Sequence, residues 1–141
     1  MRRETLVPER IEEVWRVVSD PARLPDWWPG VTRVENATAL TWTTVLQSAQ
    51  GKAVRADYTR VSASEPSQIS WSQELAGTPF ERILDEAITS ISLSPDNGGT
   101  RVELSLEQQP RGWARLAPFQ FRAAGKRQVD DALKGLERLF A

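Results

Sequence analysis

The hydrophobic period of the chain changes near residue 110, and this change limits the folds open to it. From Val31 to Gln109, short apolar runs are separated by turn signals about every 8–12 residues, as in an antiparallel meander. After Pro110 the period becomes helical. We therefore predict an α+β fold in which a C-terminal helix packs on a sheet. The apolar stripe of this helix consists of Val129, Leu133, Leu136 and Phe140.

The N-terminal segment predicts one strand and two helices. Arg3–Val7 has the pattern of a short strand, and Pro8 suits the first turn of a helix. Asp20 can cap a second short helix that has Pro21 at its first position. The predicted order is a strand, two helices, six strands and a long helix. The buried stripe of the first helix is Ile11, Val14, Trp15 and Val18.

Three turns predict which strand residues face the helix. Asn97-Gly98 suits a two-residue type I′ hairpin, and a turn at Gln50-Gly51 forms a second hairpin. A three-residue turn at Pro66 continues the inner face through Val61 to Ile69, Trp71 and Gln73. The first hairpin pairs Leu93 with Val102, Ile91 with Leu104, and Thr89 with Leu106. The second pairs Leu46 with Arg55, Thr44 with Asp57, Trp42 with Thr59, and Leu40 with Val61, and it places Tyr58 on the outer face.

Composition excludes several classes of function. The 141 residues carry a net charge of -1, which argues against a nucleic-acid partner. The chain contains no cysteine and no histidine, so thiol and Ser-His-Asp catalysis are excluded and no metal or other cofactor is expected. No apolar run approaches the length of a membrane span, and we expect a cytoplasmic protein without integral membrane association.

Several motifs resemble those of the SRPBCC superfamily, which includes START domains and the family-2 polyketide cyclases. They are the runs Asp20–Val31, Leu75–Phe80, Pro95–Thr100 and Arg111–Trp113, followed by the long C-terminal helix. The resemblance covers nearly the whole chain and is strongest to polyketide cyclase/dehydrase family 2. It implies a single helix-grip domain over residues 1–141. In that fold a seven-stranded curved antiparallel sheet wraps around the C-terminal helix, with two short helices between strands 1 and 2, and encloses a cavity.

The predicted inner face carries charged residues that are candidates for catalysis. Arg55 could anchor an anionic group or stabilise an enolate, and Asp57 or Asp85 could act as the base if burial raised its pKa. The alternative is that these side chains lie at an open sheet edge, where they are solvated or ion-paired.

Aromatic and uncharged polar residues are candidates for ligand binding. Large rings suit a flat apolar ligand, while hydroxyl and amide groups fix its orientation. Ordinary core packing is the alternative, and it is favoured for Trp15 and Trp42. The candidates are Trp28, Trp71, Trp113, Phe119, Thr44, Thr59, Thr89 and Gln73.

Three functions fit these patterns. The first is binding of a small hydrophobic or aromatic molecule, lipid-like or polyketide-like, by a monomer or homodimer. The second is catalysis similar to that of polyketide cyclases and aromatases, using cavity arginine, aspartate and water. The third is a protein-interaction or membrane-surface module, suggested by the basic and aromatic stretch 111–127, for which a solvated helix face is the simpler interpretation.

Overall fold

A computed structural model describes residues 1–48 and 50–141. Within these ranges the element order matches the sequence prediction, with short 3-10 turns between some elements. The helices are α1 (Ile11–Val18), α2 (Leu24–Trp27) and α3 (Pro118–Leu139). The strands are β1 (Arg2–Val7), β2 (Val31–Glu35), β3 (Thr41–Gln47), β4 (Ala53–Ser64), β5 (Gln68–Glu74), β6 (Leu84–Asp96) and β7 (Gly99–Pro110).

In the described part of the chain, the seven strands form one curved antiparallel sheet in the order β1-β7-β6-β5-β4-β3-β2. The core joins the inner face of this sheet to α1, α2 and α3. On α3 the buried stripe includes Val129, Leu133 and Leu136, as the helical period predicts. The predicted fold class, a helix-grip arrangement with short helices between the first two strands, is confirmed.

Gly135 allows α3 to lie directly against α2. A Cβ atom at this position would lie 2.1 Å from the carbonyl oxygen of Trp27, which is far inside van der Waals contact. The helix therefore needs glycine here despite the low helix propensity of that residue. This close approach holds the C-terminal half of α3 next to Trp27 and Trp28, at one end of the sheet.

The β6–β7 hairpin has the predicted register. Asn97 and Gly98 have φ values of 48° and 82°, the left-handed values that a type I′ turn requires at both central residues. The structure pairs Leu93 with Val102, Ile91 with Leu104, and Thr89 with Leu106. All six side chains are buried.

The predicted register of the β3–β4 hairpin is wrong by one residue. The backbone N–H of Ser48 donates to the carbonyl of Lys52. The loop between these two positions therefore has three residues, not the predicted two. Because side chains alternate along a strand, this shift reverses the faces of β4 relative to β3. The observed pairs are Leu46 with Val54, Thr44 with Ala56, and Trp42 with Tyr58.

The β4–β5 connection follows the prediction only in part. Ser64 pairs with Gln68 across the expected three-residue turn, and Ile69 and Trp71 are buried as predicted. However, the register shifts between Arg60 and Ser62, which is typical of a β-bulge. Val61 is consequently exposed, not inward-facing.

Candidate functional site

A small cavity lies between the inner face of the sheet, the end of α2 and the middle of α3. Its volume is about 40 Å³. The wall contains both apolar side chains and uncharged hydrogen-bonding side chains. The apolar residues are Leu24, Trp28, Val31, Trp42, Leu46, Trp71, Ala87 and Leu106. The polar residues are Thr44, Tyr58, Gln73, Thr89, Gln108 and Gln128.

Four aromatic rings form a continuous cluster along one side of the cavity. Trp71 makes edge-to-face contacts with Trp28 and Trp42, with ring centroids 6.1 and 5.8 Å apart. Trp42 in turn stacks on Tyr58, with centroids 5.9 Å apart and planes 14° from parallel. These separations suit favourable aromatic pairing. All four rings belong to residues that line the cavity.

Tyr58 brings a phenol to the cavity wall. It pairs with Gln73 across β4 and β5, so the two side chains lie on the same face. Burial raises the pKa of Tyr58 to about 12, while the nearby Thr44 hydroxyl has a smaller effect in the opposite direction. The phenol is therefore neutral at physiological pH and can donate a hydrogen bond.

We expect stability to fall between about pH 10 and pH 12 by about 2 kcal/mol, as Tyr58 ionises. The folded-state pKa lies above the ordinary value of 10.0, so this contribution is fully present below pH 10 and is lost as the pH rises. Tyr58 is the sole tyrosine, so phenolate absorbance reports on it directly. A folded protein that titrates at the same pH as the urea-unfolded chain would contradict the expectation. Tyr58→Phe is the control for stability.

The indole N–H of Trp42 is a second unusual group at this site. Its Nε1 atom is buried and has no hydrogen-bond partner among the described residues, as is also true of Trp27. A buried N–H without an acceptor costs about 1–3 kcal/mol. Trp42 is part of the core, as predicted, but it also borders the cavity.

Five of the predicted ligand-binding residues meet at this cavity. Trp28 comes from the end of α2, and the others come from three different strands of the sheet. Their convergence depends on the correctly predicted inner faces of β5 and β6. The strand residues are Thr44, Trp71, Gln73 and Thr89.

Three predicted inner-face residues of β4 lie on the outer face instead. The Arg55 side chain forms an ion pair with Glu35, and the hydroxyl of Thr43 donates to Asp57 at 2.5 Å. The hydroxyl of Thr59 donates to Glu74 at 2.8 Å. The one-residue shift of the β3–β4 register explains all three positions.

Asp85 is also outside the cavity. The β6–β7 register shifts between Leu84 and Glu86, so Leu84 turns inward and Asp85 is exposed. The Asp85 carboxylate lies 3.5 Å from Arg111 and 3.8 Å from Arg115. The prediction of an inward Asp85 is wrong because this irregularity interrupts the alternation of the strand.

Trp113 and Phe119 do not line the cavity. Their side chains are 64% and 82% exposed. Trp113 belongs to the 3-10 turn Gly112–Leu116, in which Ala114 supplies the buried contact. Phe119 lies in the first turn of α3, where its side chain is exposed to solvent.

Sequence reasoning missed several cavity residues. Tyr58 was assigned to the outer face by the same register error that placed Arg55 inside. Gln108 pairs with Ala87, two positions beyond the correctly predicted pair of Thr89 and Leu106, so extending that register would have found it. Gln128 precedes the buried Val129 on α3. A polar residue next to the apolar stripe of a helix does not show in the sequence that it faces a cavity.

Comparison with known proteins agrees with this architecture. The family model described as polyketide cyclase / dehydrase and lipid transport matches residues 1–141. The chain belongs to this family. Its members are thus associated with polyketide cyclisation, dehydration and the transport of lipids, and small hydrophobic ligands are typical of such functions. No curated protein matches the chain.

Solved structures show the same fold at low sequence identity. XoxI from Bacillus cereus is 15% identical, with a TM-score of 0.79, and the match covers 99% of this chain and 94% of that one. A START superfamily protein from Mycobacterium smegmatis is 16% identical, with a TM-score of 0.75 and coverages of 99% and 95%. The di-domain ARO/CYC StfQ from the steffimycin biosynthetic pathway is 12% identical, with a TM-score of 0.78 and coverages of 99% and 49%.

Across the ranges that the structure describes, no helix combines the length and the apolar character needed to cross a membrane.

Proposed function

We propose that this protein binds a neutral, largely apolar or aromatic small molecule in the cavity between the sheet and α3. The observation that carries the proposal is the composition of the cavity wall. Among the described residues that form it, none carries a charge at neutral pH, and the wall combines aromatic rings with hydroxyl and amide groups. Burying a charged ligand group there without a charged partner would be costly, which favours an uncharged ligand.

Hydrogen bonding narrows the chemistry of this ligand further. Tyr58 offers a neutral phenol O–H. A carbonyl or ether oxygen on the ligand would accept from this group. The amide of Gln73 can both donate and accept. A ring system that carries at least one acceptor oxygen therefore suits the wall best.

The cavity must widen to admit such a ligand, because pockets for small molecules usually measure about 300–1,000 Å³. A groove of about 510 Å³ runs beside the first turns of α3. Leu106 and Gln108 border both this groove and the cavity. Gly125 is the only buried described residue of α3 before Val129, so this part of the helix can move at lower cost than the C-terminal part. We infer that ligand enters here.

Cavity filling tests the proposal. Ala87 is buried in the wall, and Ala87→Leu would occupy the space inside it. We expect this variant to weaken binding of the neutral fluorescent probe N-phenyl-1-naphthylamine by about ten-fold or more, because the larger side chain competes for the same volume. Ala53→Leu makes the same change at an exposed position on β4 and serves as the control.

Equal affinity of wild type and Ala87→Leu for the probe would place the binding site elsewhere. Loss of binding in both variants would also count against the cavity. Thermal unfolding of each variant shows whether the fold is retained. Competition with lipids and with polyketide-like aromatic compounds then identifies the ligand class.

Cyclase-like or dehydrase-like catalysis is a second candidate, which the inward phenol of Tyr58 favours. A neutral O–H can donate to the carbonyl oxygen of a bound β-ketone and stabilise the enolate charge that develops when the adjacent carbon transfers a proton to a solvent water molecule. Arg55, Asp57 and Asp85 lie outside the cavity and have no part in this mechanism. Turnover that disappears in Tyr58→Phe, while probe affinity is retained, would assign this activity.

A further inference from the structure

Three large apolar side chains at the start of α3 are exposed to solvent. We call Trp113, Leu116 and Phe119 the apical patch. They are 64%, 86% and 82% exposed, the highest values among the large hydrophobic residues that the structure describes. Exposure of three such residues within seven positions is unusual for a surface without a binding role.

The local backbone places these side chains together. Residues i and i+3 of a 3-10 helix eclipse each other, so Trp113 and Leu116 project from the same side of the turn Gly112–Leu116. Ala114 is buried and anchors the other side of this turn. Pro118 then begins α3, which presents Phe119 directly after the turn. The patch therefore spans the turn Gly112–Leu116 and the first residues of α3.

Basic side chains flank the patch along the chain. Residues 111–127 include five arginine or lysine side chains and no acidic residue. Phe119, Arg122 and Lys126 share one face of α3 by their helical spacing. Asp85 forms ion pairs with the first two basic residues of the segment. In the described part of the chain, no carboxylate forms an ion pair with Arg122, Lys126 or Arg127. Glu86 and Glu107 border the adjacent groove together with Arg122.

We propose that the apical patch docks this protein peripherally on an anionic membrane surface. Tryptophan, leucine and phenylalanine insert at the boundary between headgroups and acyl chains, while flanking arginine and lysine contact acidic headgroups. A second copy of the chain is a poorer occupant, because a two-fold contact would bring the same basic residues against each other. This docking is a separate property from ligand occupancy of the cavity, and it can be measured without ligand.

Vesicle co-sedimentation tests the apolar part of the patch. The full chain is expected to bind vesicles of phosphatidylglycerol mixed with phosphatidylcholine. Combining Trp113→Ser, Leu116→Ser and Phe119→Ser should lower this binding by about ten-fold or more. Leu40→Ser with Val61→Ser is the control, since these side chains are 56% and 59% exposed elsewhere on the surface. Circular dichroism and thermal unfolding verify that each variant is folded.

Charge supplies a second, independent readout. Arg122→Gln with Lys126→Gln should lower partition onto the anionic vesicles by about 25-fold, because each basic side chain near the surface contributes about five-fold. Added salt should weaken binding of the wild type in the same direction. Vesicles of phosphatidylcholine alone should bind much less protein.

Three results would overturn the proposal. The first is absence of binding to the anionic vesicles, and the second is an equal loss in the patch variant and in the Leu40/Val61 control. The third is a concentration-dependent dimer, seen by light scattering, that the patch substitutions abolish, because a second copy would then be the occupant.

Discussion

Replacing Gly135 with alanine is expected to lower the free energy of unfolding by about 3 kcal/mol. The new methyl group would lie 2.1 Å from the carbonyl oxygen of Trp27, and this backbone atom cannot rotate away as a flexible side chain could. Helix α3 and helix α2 would have to separate. Their separation would disturb the adjoining Trp28, which forms part of the cavity wall.

Gly125→Ala is the matched control in the same helix. A Cβ atom there would meet Gln108 at 3.6 Å and Leu106 at 3.9 Å, which are ordinary contacts. Alanine should therefore raise the free energy of unfolding by up to about 1 kcal/mol, through its higher helix propensity. Urea unfolding of both variants measures the two changes. Similar effects of the same sign would contradict a specific role for the contact between Gly135 and Trp27.

Trp71→Ala is expected to lower the free energy of unfolding by about 4 kcal/mol. This effect is larger than that expected for Gly135→Ala. Trp71 is buried on β5 and joins Trp28 to Trp42 through edge-to-face contacts. Its removal takes away a large apolar ring and leaves a hole next to the existing cavity. Neighbouring side chains on a rigid sheet can fill that hole only in part.

Trp113→Ala removes the same side chain from an exposed position and should change stability by no more than about 0.5 kcal/mol. Urea unfolding again compares the two. Indole should also raise the melting temperature of Trp71→Ala, because it binds the hole that the substitution creates in the folded state. If Trp71→Ala lowers the free energy of unfolding by less than about 1 kcal/mol, this ring is not a structural element of the cavity wall.

A hairpin register could be predicted from the sequence where the turn residues allow only one backbone geometry. Asn97-Gly98 requires left-handed backbone at two successive residues, and this geometry determines the whole β6–β7 register. Gln50-Gly51 provides only one glycine, and the observed connection from Ser48 to Lys52 is one residue longer than predicted. The general fold was unaffected by this difference, because either register leaves β3 and β4 paired.

An error of one residue in a strand register changes the predicted site much more than the predicted fold. A shift of one residue exchanged Arg55 and Asp57 for Ala56 and Tyr58 on the inner face, and so replaced a charged catalytic set with a neutral wall. At Asp85 the cause was a strand irregularity that no turn residue signals. At Trp113 the cause was the assumption that a large ring turns inward, which does not hold at the apical patch.

If the aromatic cluster forms a ligand site, the indole signals of the six tryptophans should distinguish the cavity from the rest of the surface when ligand is added. In a proton–nitrogen correlation spectrum, addition of N-phenyl-1-naphthylamine should shift the indole signals of Trp28, Trp42 and Trp71, assigned by substitution. The indole signal of the exposed Trp113 should stay in place. A shift of Trp113 alone, with the three cavity signals unchanged, would contradict ligand binding between the sheet and α3.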